Sequence, residues 1–237
     1  APEEMALVLN TPFTMIRTVG KETFKPIHYY KSEEQLEAVY SPVFNRVDST
    51  DIRDLNVVII ILESFSREHS GALNPNLEEG TYRGYTPFLD SLVRESFSFT
   101  NAFANGRKSI DAMPSILASL PALVQPFVVS EYASNRINGL GGLLQNRNYH
   151  TSFFHGAPNG SMGFQAFARL AGFENYYGKD EYANDEDFDG IWGIWDEPFF
   201  QFFAHKLDSF PEPFATSIFS LSSHHPFKVP APYEGVF

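Results

Sequence analysis

The chain has 237 residues, of which 43% are hydrophobic and 19% charged, so it has enough apolar surface for the core of one large α/β domain and lacks a disordered composition. A formal net charge of −12 provides no basic field for a phosphate backbone, which argues against nucleic acid as a partner. The absence of cysteine excludes disulfides, thiolate metal sites and a cysteine nucleophile, and leaves the cellular compartment open.

Residues 1 to about 50 show no sustained hydrophobic periodicity, which predicts a lead-in segment. Within it, Ser32 to Val39 is typical of a short helix capped by a serine. The longest uninterrupted apolar run of the chain, Val57 to Leu62, is far shorter than the roughly 20 residues that span a bilayer. Because the chain begins at Ala1 and ends at Phe237 in a turn-like Pro/Gly stretch, we expect it to be a fragment of a longer protein.

Strands and helices are predicted to alternate from Asn56 onward. The run NVVIIIL is apolar on both faces and too short for a typical helix, which predicts a buried central parallel strand ending near Glu63. Thr86 followed by Pro87 is typical of a helix N-terminus, and this helix is expected to run to about Arg94. A further helix is expected after Pro114.

The second half of the chain continues the alternation. Its predicted elements are a helix over 136–146 weakened by three glycines, a strand over 149–154, a helix over 164–170, a helix over 196–207 and a strand over 214–221. This order predicts an α/β fold with a mostly parallel central sheet and helices on both faces. The acidic run over 180–189 favours a solvated loop, since it lacks the glycine and terminal glutamate of a calcium-binding hand loop.

Glu63 stands where the first predicted strand ends. An unpaired carboxylate buried there would cost several kcal/mol, so we expect a positive group beside it. A divalent cation bound through oxygen and imidazole ligands is one interpretation. A glutamate turned to solvent, or one that caps a following helix, is the alternative.

Ser109 ends the basic segment Asn105 to Ser109 and precedes a predicted helix. A hydroxyl in this place can be activated by a metal and by neighbouring positive charge, and a helix N-terminus stabilises a bound anion. The alternative is a capping or turn serine, with Arg107 and Lys108 as ordinary surface charges.

His155 and His224 each follow a predicted strand and precede turn-forming residues. In parallel sheets, chemistry gathers beyond the carboxyl ends of the strands, where metal ligands and phosphate donors often lie. Purely structural histidines remain the alternative. His225 is expected to point away from the site if strand alternation persists, so His224 is preferred.

Six motifs carry a family resemblance: NVVIIILESFS, YTPFLDSL, NAFANGRKS, FFHG, NYYG and SLSSHHPF, in this order between Asn56 and Phe227. They resemble the sulfatase-like branch of the alkaline phosphatase superfamily, and specifically the extracellular domain of lipoteichoic acid synthases and related membrane-anchored phosphoglycerol transferases. LNTPFTMIRT is similar to the segment that links membrane helices to that domain. The resemblance implies a lead-in over 1–50 and the N-terminal portion of a catalytic domain over 51–237, with an alkaline phosphatase-like fold.

The resemblance also implies a set of site residues. Glu63 becomes a metal ligand, and Ser109 stands where the family has a nucleophilic threonine that also contacts the metal. His155, His224 and Lys108 become candidates for binding the substrate. The implied metal is Mn²⁺ or Mg²⁺, with Zn²⁺ or Ca²⁺ as alternatives.

The implied function is transfer of a phosphoglycerol-type group from a phospholipid, or another phosphodiester or ester, to an acceptor through a covalent intermediate. It implies the extracytoplasmic side of the cell membrane, reached through helices upstream of the chain. A phosphate or sulfate ester hydrolase is an alternative, although the residues after Ser109 do not match a formylglycine motif. A binding module that has lost its metal is another.

Two departures from the family pattern are present. Where the synthases continue after the first histidine with an acidic residue, a Trp and an Arg, this chain has Ala157, Met162 and Phe164. The Asp-His pair that completes the family's metal site does not occur in the chain. We expect this pair to lie beyond Phe237, or the domain to be degenerate.

Overall fold

The computed structural model describes residues 28–41, 43, 53–122 and 125–235. The chain divides into two compact units, Ala1–Ile52 and Arg53–Phe237. The first unit contains helix α1 (Glu33–Val39), which Ser32 caps by accepting a hydrogen bond from the backbone N–H of Gln35 at 3.4 Å. This confirms the serine-capped helix predicted from the sequence. LNTPFTMIRT and most of the predicted lead-in lie outside the described residues.

The second unit alternates strands and helices around one sheet. Its elements are β1 (Val57–Ile61), α2 (Pro87–Glu95), α3 (Ser109–Ala118), α4 (Leu140–Gln145), β2 (His150–His155), α5 (Phe164–Leu170), β3 (Asn175–Tyr177), α6 (Lys179–Tyr182), α7 (Asp196–Leu207) and β4 (Phe214–Phe219). The four strands are all parallel, in the order β1-β4-β2-β3. The predicted α/β class with a parallel sheet is confirmed.

The sheet has a hydrophobic cluster on each face. Because side chains alternate along a strand, Phe153 and Phe154 of β2 point to opposite faces, and both are fully buried. Phe153 belongs to a cluster with residues of α3 and α5, whereas Phe154 packs with Phe199 and Phe203 of α7. Helices therefore cover both faces, as predicted.

The strand register brings three strand ends to the same level. Phe219, the last residue of β4, lies opposite Ile61 of β1 on one side and His155 of β2 on the other. The residues that follow Ile61 and Phe219, together with His155 itself, therefore meet at one edge of the sheet. This edge is where the site described below lies.

The prediction that β1 is a buried central strand is wrong for the described residues. β1 pairs with β4 alone, and Val58 and Ile60 are 43% and 54% exposed. Its apolar pattern reports a preference for burial on both faces. Burial itself depends on what packs against the strand, and α7 covers the middle of the sheet, at Phe154 and Ile218.

Two helix boundaries also differ from the sequence predictions. The helix expected after Pro114 begins five residues earlier, at Ser109, and Pro114 lies inside it, where its missing N–H removes one intrahelical hydrogen bond. The helix predicted over 136–146 is shorter, because Gly139 and Gly141 serve close packing. A Cβ atom on Gly139 would lie 2.4 Å from the backbone of Ala171.

No helix in the described part of the chain has the length and hydrophobicity needed to cross a bilayer.

Candidate active site

A pocket of about 110 Å³ lies at the carboxyl edge of the sheet. Residues from six segments line it, among them Glu63, Ser109, His155, Met162, Trp192 and His224. The structure thus brings together four residues that the sequence singled out separately. Lys108 lies beside them, in an adjoining cavity of about 500 Å³ that Glu63 and Ser109 also line.

Glu63 is 9% exposed and follows β1 by two residues. Its backbone N–H donates to Ser220 Oγ at 2.8 Å, which ties it to the end of β4. Its carboxylate Oε1 accepts hydrogen bonds from Ser64 Oγ at 2.9 Å and Ser109 Oγ at 3.1 Å. Among the described residues, two hydroxyls rather than a cationic side chain compensate this carboxylate.

Ser64 adopts a conformation that the sequence did not indicate. Its φ angle is +50°, in the left-handed region, which costs a non-glycine residue roughly 1–2 kcal/mol. This conformation turns the chain directly after Glu63 while the Ser64 hydroxyl remains bonded to the Glu63 carboxylate. Backbone strain of this kind is concentrated at functional sites.

Ser109 is the first residue of α3, directly after the N-cap residue Lys108. The free backbone N–H groups of a helix's first turn favour an anion there. The exposed side chains of Arg107 and Lys108 line the adjoining cavity, so positive charge lies in the cavity next to the pocket. A hydroxyl, a carboxylate and an anion-favouring helix end therefore meet within a few ångströms.

His155 is the last residue of β2 and is 3% exposed. Its Nδ1 lies 3.1 Å from the carbonyl oxygen of Phe219, and its ring packs on Phe164 with centroids 4.6 Å apart. A carbonyl only accepts, so Nδ1 carries the proton. Burial lowers the pKa of His155 to about 4, so the ring is neutral at pH 7 and Nε2 is a hydrogen-bond acceptor.

His224 lines the pocket, and His225 is exposed outside it. The expected preference for His224 agrees with this arrangement, but strand alternation is not the cause. β4 ends at Phe219, and His224 lies in a turn in which its backbone N–H donates to the carbonyl of Leu221 at 3.0 Å.

Asp196, at the start of α7, supports the segment that leads to His224. Its carboxylate accepts hydrogen bonds from the backbone N–H groups of Leu221 at 2.7 Å and Ser222 at 2.9 Å. In return, its own N–H donates to Ser222 Oγ at 2.7 Å. Burial raises the pKa of Asp196, and the nearby charge of Glu63 adds to this effect. The sequence showed only the helix start at Asp196.

Glu63 and Ser109 fit part of a divalent cation site. Their oxygens converge, and oxygen donors are the ligands that Mg²⁺ and Mn²⁺ prefer. Within the described residues, no group of three or more His, Asp or Glu side chains could hold a metal ion. Glu63 and Ser109 are therefore two oxygen donors placed together, fewer than a complete cation shell requires.

Comparisons with known proteins bear on the family of this chain. The family model described as "Sulfatase" matches residues 55–237. Lipoteichoic acid synthase 2 of Bacillus subtilis is 31% identical over 146 residues, which cover 60% of this chain and 22% of the relative. Phosphoglycerol transferase I of Salmonella choleraesuis is 26% identical over 186 residues, covering 73% and 23%. The chain thus spans less than a quarter of the length of either relative.

A solved structure of a protein in the alkaline phosphatase superfamily from Vibrio parahaemolyticus shares the fold, with a TM-score of 0.66 and 24% identity. The match covers 77% of this chain and 44% of that one. These findings confirm the resemblance carried by the six ordered motifs. Because the family model extends over most of the residues, from the start of the sheet onward, the chain belongs to the sulfatase family.

Proposed function

We propose that the protein is a phosphotransferase of the cell envelope that moves a phosphoglycerol-type group from a phospholipid to an acceptor alcohol. The names of the curated relatives support a phosphoglycerol transferase family. The observation that carries the proposal is the contact between Ser109 and Glu63. A serine hydroxyl at a helix N-terminus donates to a buried carboxylate at 3.1 Å, in a pocket that two histidines also line.

Ser109 is the proposed nucleophile. Its Oγ releases its proton to solvent and attacks phosphorus, the bond from phosphorus to the donor's alkoxide oxygen breaks, and the departing alkoxide takes up a proton from solvent. This leaves a phosphodiester between Ser109 and the glycerol. The oxygen of an acceptor hydroxyl then attacks the same phosphorus, its proton is released, and Ser109 Oγ leaves and regains a proton. Water in place of the acceptor would make the same reaction a hydrolysis.

The remaining residues have distinct proposed roles. The N-terminus of α3, with Lys108 in the adjoining cavity, stabilises the charge of the phosphoryl oxygens. His224 contacts these oxygens. His155, whose Nε2 accepts, binds a hydroxyl of the glycerol rather than a phosphoryl oxygen.

Superfamily members use divalent metals, and we propose Mn²⁺ or Mg²⁺ for this protein, with Glu63 and Ser109 as ligands. Bound there, the cation would lower the pKa of the attacking hydroxyl and neutralise charge on the transferred group. The remaining ligands are proposed to come from outside residues 1–237, since the chain spans under a quarter of its curated relatives.

The location and the division of the chain belong to the same proposal. Residues 1–50 are proposed to link a membrane region to the catalytic domain, and 51–237 to form its N-terminal portion on the extracytoplasmic side. The match of the family model to residues 55–237 supports this division.

The test is Ser109→Ala in the natural full-length protein, assayed by chromophore release from a phosphodiester mimic with Mn²⁺ present. We expect turnover to fall about a thousandfold or more at matched folded fractions, and Ser109→Thr to retain activity. Ser115→Ala on the same helix is the matched control, expected to keep wild-type turnover. Wild-type turnover by Ser109→Ala would refute the nucleophile. Absence of turnover in the wild type with metal would instead favour a binding module.

A further inference from the structure

The indole of Trp192 forms one wall of the pocket and packs against His224. The two ring centroids lie 4.0 Å apart with an interplanar angle of 51°. The indole Nε1–H donates to the carbonyl oxygen of His225 at 2.7 Å. One side chain therefore contacts the imidazole in the pocket and also fixes the backbone directly after it.

The backbone at Trp192 is itself fixed by a buried carboxylate. Asp189 is 7% exposed, and its Oδ1 accepts hydrogen bonds from the N–H groups of Ile191 at 2.7 Å, Trp192 at 2.7 Å and Gly193 at 3.1 Å. Lys228 Nζ donates to the Asp189 carbonyl oxygen at 2.6 Å, which joins this loop to the chain beyond the two histidines. Trp192 is thus anchored through its backbone and through its ring.

We propose that Trp192 is a positioning residue for His224, which it holds at the pocket wall for contact with an anionic phosphoester. The proposal rests on the function proposed above and assigns it a residue that is remote in sequence from every motif. Packing of the indole against the imidazole restrains the orientation of both rings. His224 lies on a turn outside the sheet, and two contacts restrain its side chain: the packing of the Trp192 indole and the contact of its Nδ1 with the carbonyl oxygen of His225 at 3.0 Å.

A double-mutant cycle in the natural full-length protein tests the coupling. We expect Trp192→Leu to raise KM for the phosphodiester mimic about tenfold and to change kcat by less than about twofold, since only positioning is lost. In an H224N background, Trp192→Leu should change KM by less than about twofold. Trp195→Leu is the matched control, because Trp195 packs on Lys228 and does not line the pocket. Equal KM factors in both backgrounds would overturn the proposal.

Fluorescence provides a test that does not depend on turnover. The emission of Trp192 is the difference between a protein and its Trp192→Phe variant, measured in an S109A background. Because an adjacent imidazole quenches indole emission, this difference should increase when His224 is replaced by Asn, and inorganic phosphate should alter it only when His224 is present. Equal differences with and without His224 would refute the contact. Persistence of the contact in a wild-type protein that shows no turnover with Mn²⁺ would refute the proposed function and leave the contact between Trp192 and His224 standing.

Discussion

The buried histidine at the end of β2 leads to a prediction about pH. His155 has a pKa of about 4 in the folded protein because burial penalises its charged form, against about 6.5 in the unfolded chain. Between these values, the unfolded chain binds a proton that the native state does not bind. The free energy of unfolding should therefore fall as the pH falls through this window.

The magnitude follows from the two pKa values. From pH 7 to pH 5, His155 should remove about 2 kcal/mol of the free energy of unfolding, and about 3 kcal/mol when the pH reaches 4. Asp196 acts in the opposite direction, since its raised pKa means that stability is lost as the pH rises. A wild-type curve alone therefore mixes opposing contributions. The difference between wild type and His155→Gln isolates the contribution of His155.

The assay is urea unfolding at pH 5, 6 and 7 for the wild type and His155→Gln. We expect the difference between their free energies of unfolding to change by about 2 kcal/mol across this range, with the wild type losing more at low pH. His150→Gln is the matched control at the other end of β2. His150 is only half-buried, so its lowered pKa should give a smaller change. Parallel pH curves for the wild type and His155→Gln would refute the buried, neutral ring.

Three further predictions concern the surroundings of the pocket. Ser64→Gly should be more stable than Ser64→Ala by about 1 kcal/mol in urea unfolding, because glycine adopts the positive φ angle without steric strain. An alanine variant of equal or higher stability would show that the backbone at this position is not strained. Asp196→Ala should lower the free energy of unfolding by about 2–4 kcal/mol, because the backbone N–H groups of Leu221 and Ser222 lose their acceptor. Glu197→Ala, at the neighbouring exposed position, is the control. Equal effects of the two variants would contradict a stabilising role of these two hydrogen bonds. Residues 1–237 alone should bind Mn²⁺ weakly in calorimetric titration, since Glu63 and Ser109 together provide two oxygen donors for the cation. Submicromolar affinity would mean that other residues of the chain also bind the cation.

Local patterns in the sequence predicted most of the elements and the residue types of the site. The helices predicted over 164–170 and 196–207 have these bounds in the structure. Glu63, His155 and His224 were recognised because each follows an apolar run of strand length. Such signals depend on neighbours within a few residues, so they can be read without knowledge of the fold.

Tertiary structure decided how these parts meet. The contact between Ser109 and Glu63 joins residues 46 positions apart, and the bond from Glu63 to Ser220 joins residues 157 apart. Neither contact leaves a local signal in the sequence. The position of Trp192 against His224 is missed for the same reason, since a tryptophan in a Gly-rich turn has no periodic pattern.

The exposed face of β1 and the neutral state of His155 illustrate the same division. The sequence by itself determined that Val58 and Ile60 are apolar and that position 155 carries an imidazole. Whether a face is covered, and which ring nitrogen carries the proton, depends on packing and on a carbonyl from another strand, that of Phe219. Burial and hydrogen bonding are properties of surroundings assembled from distant segments, and the sheet order β1-β4-β2-β3 assembles these surroundings.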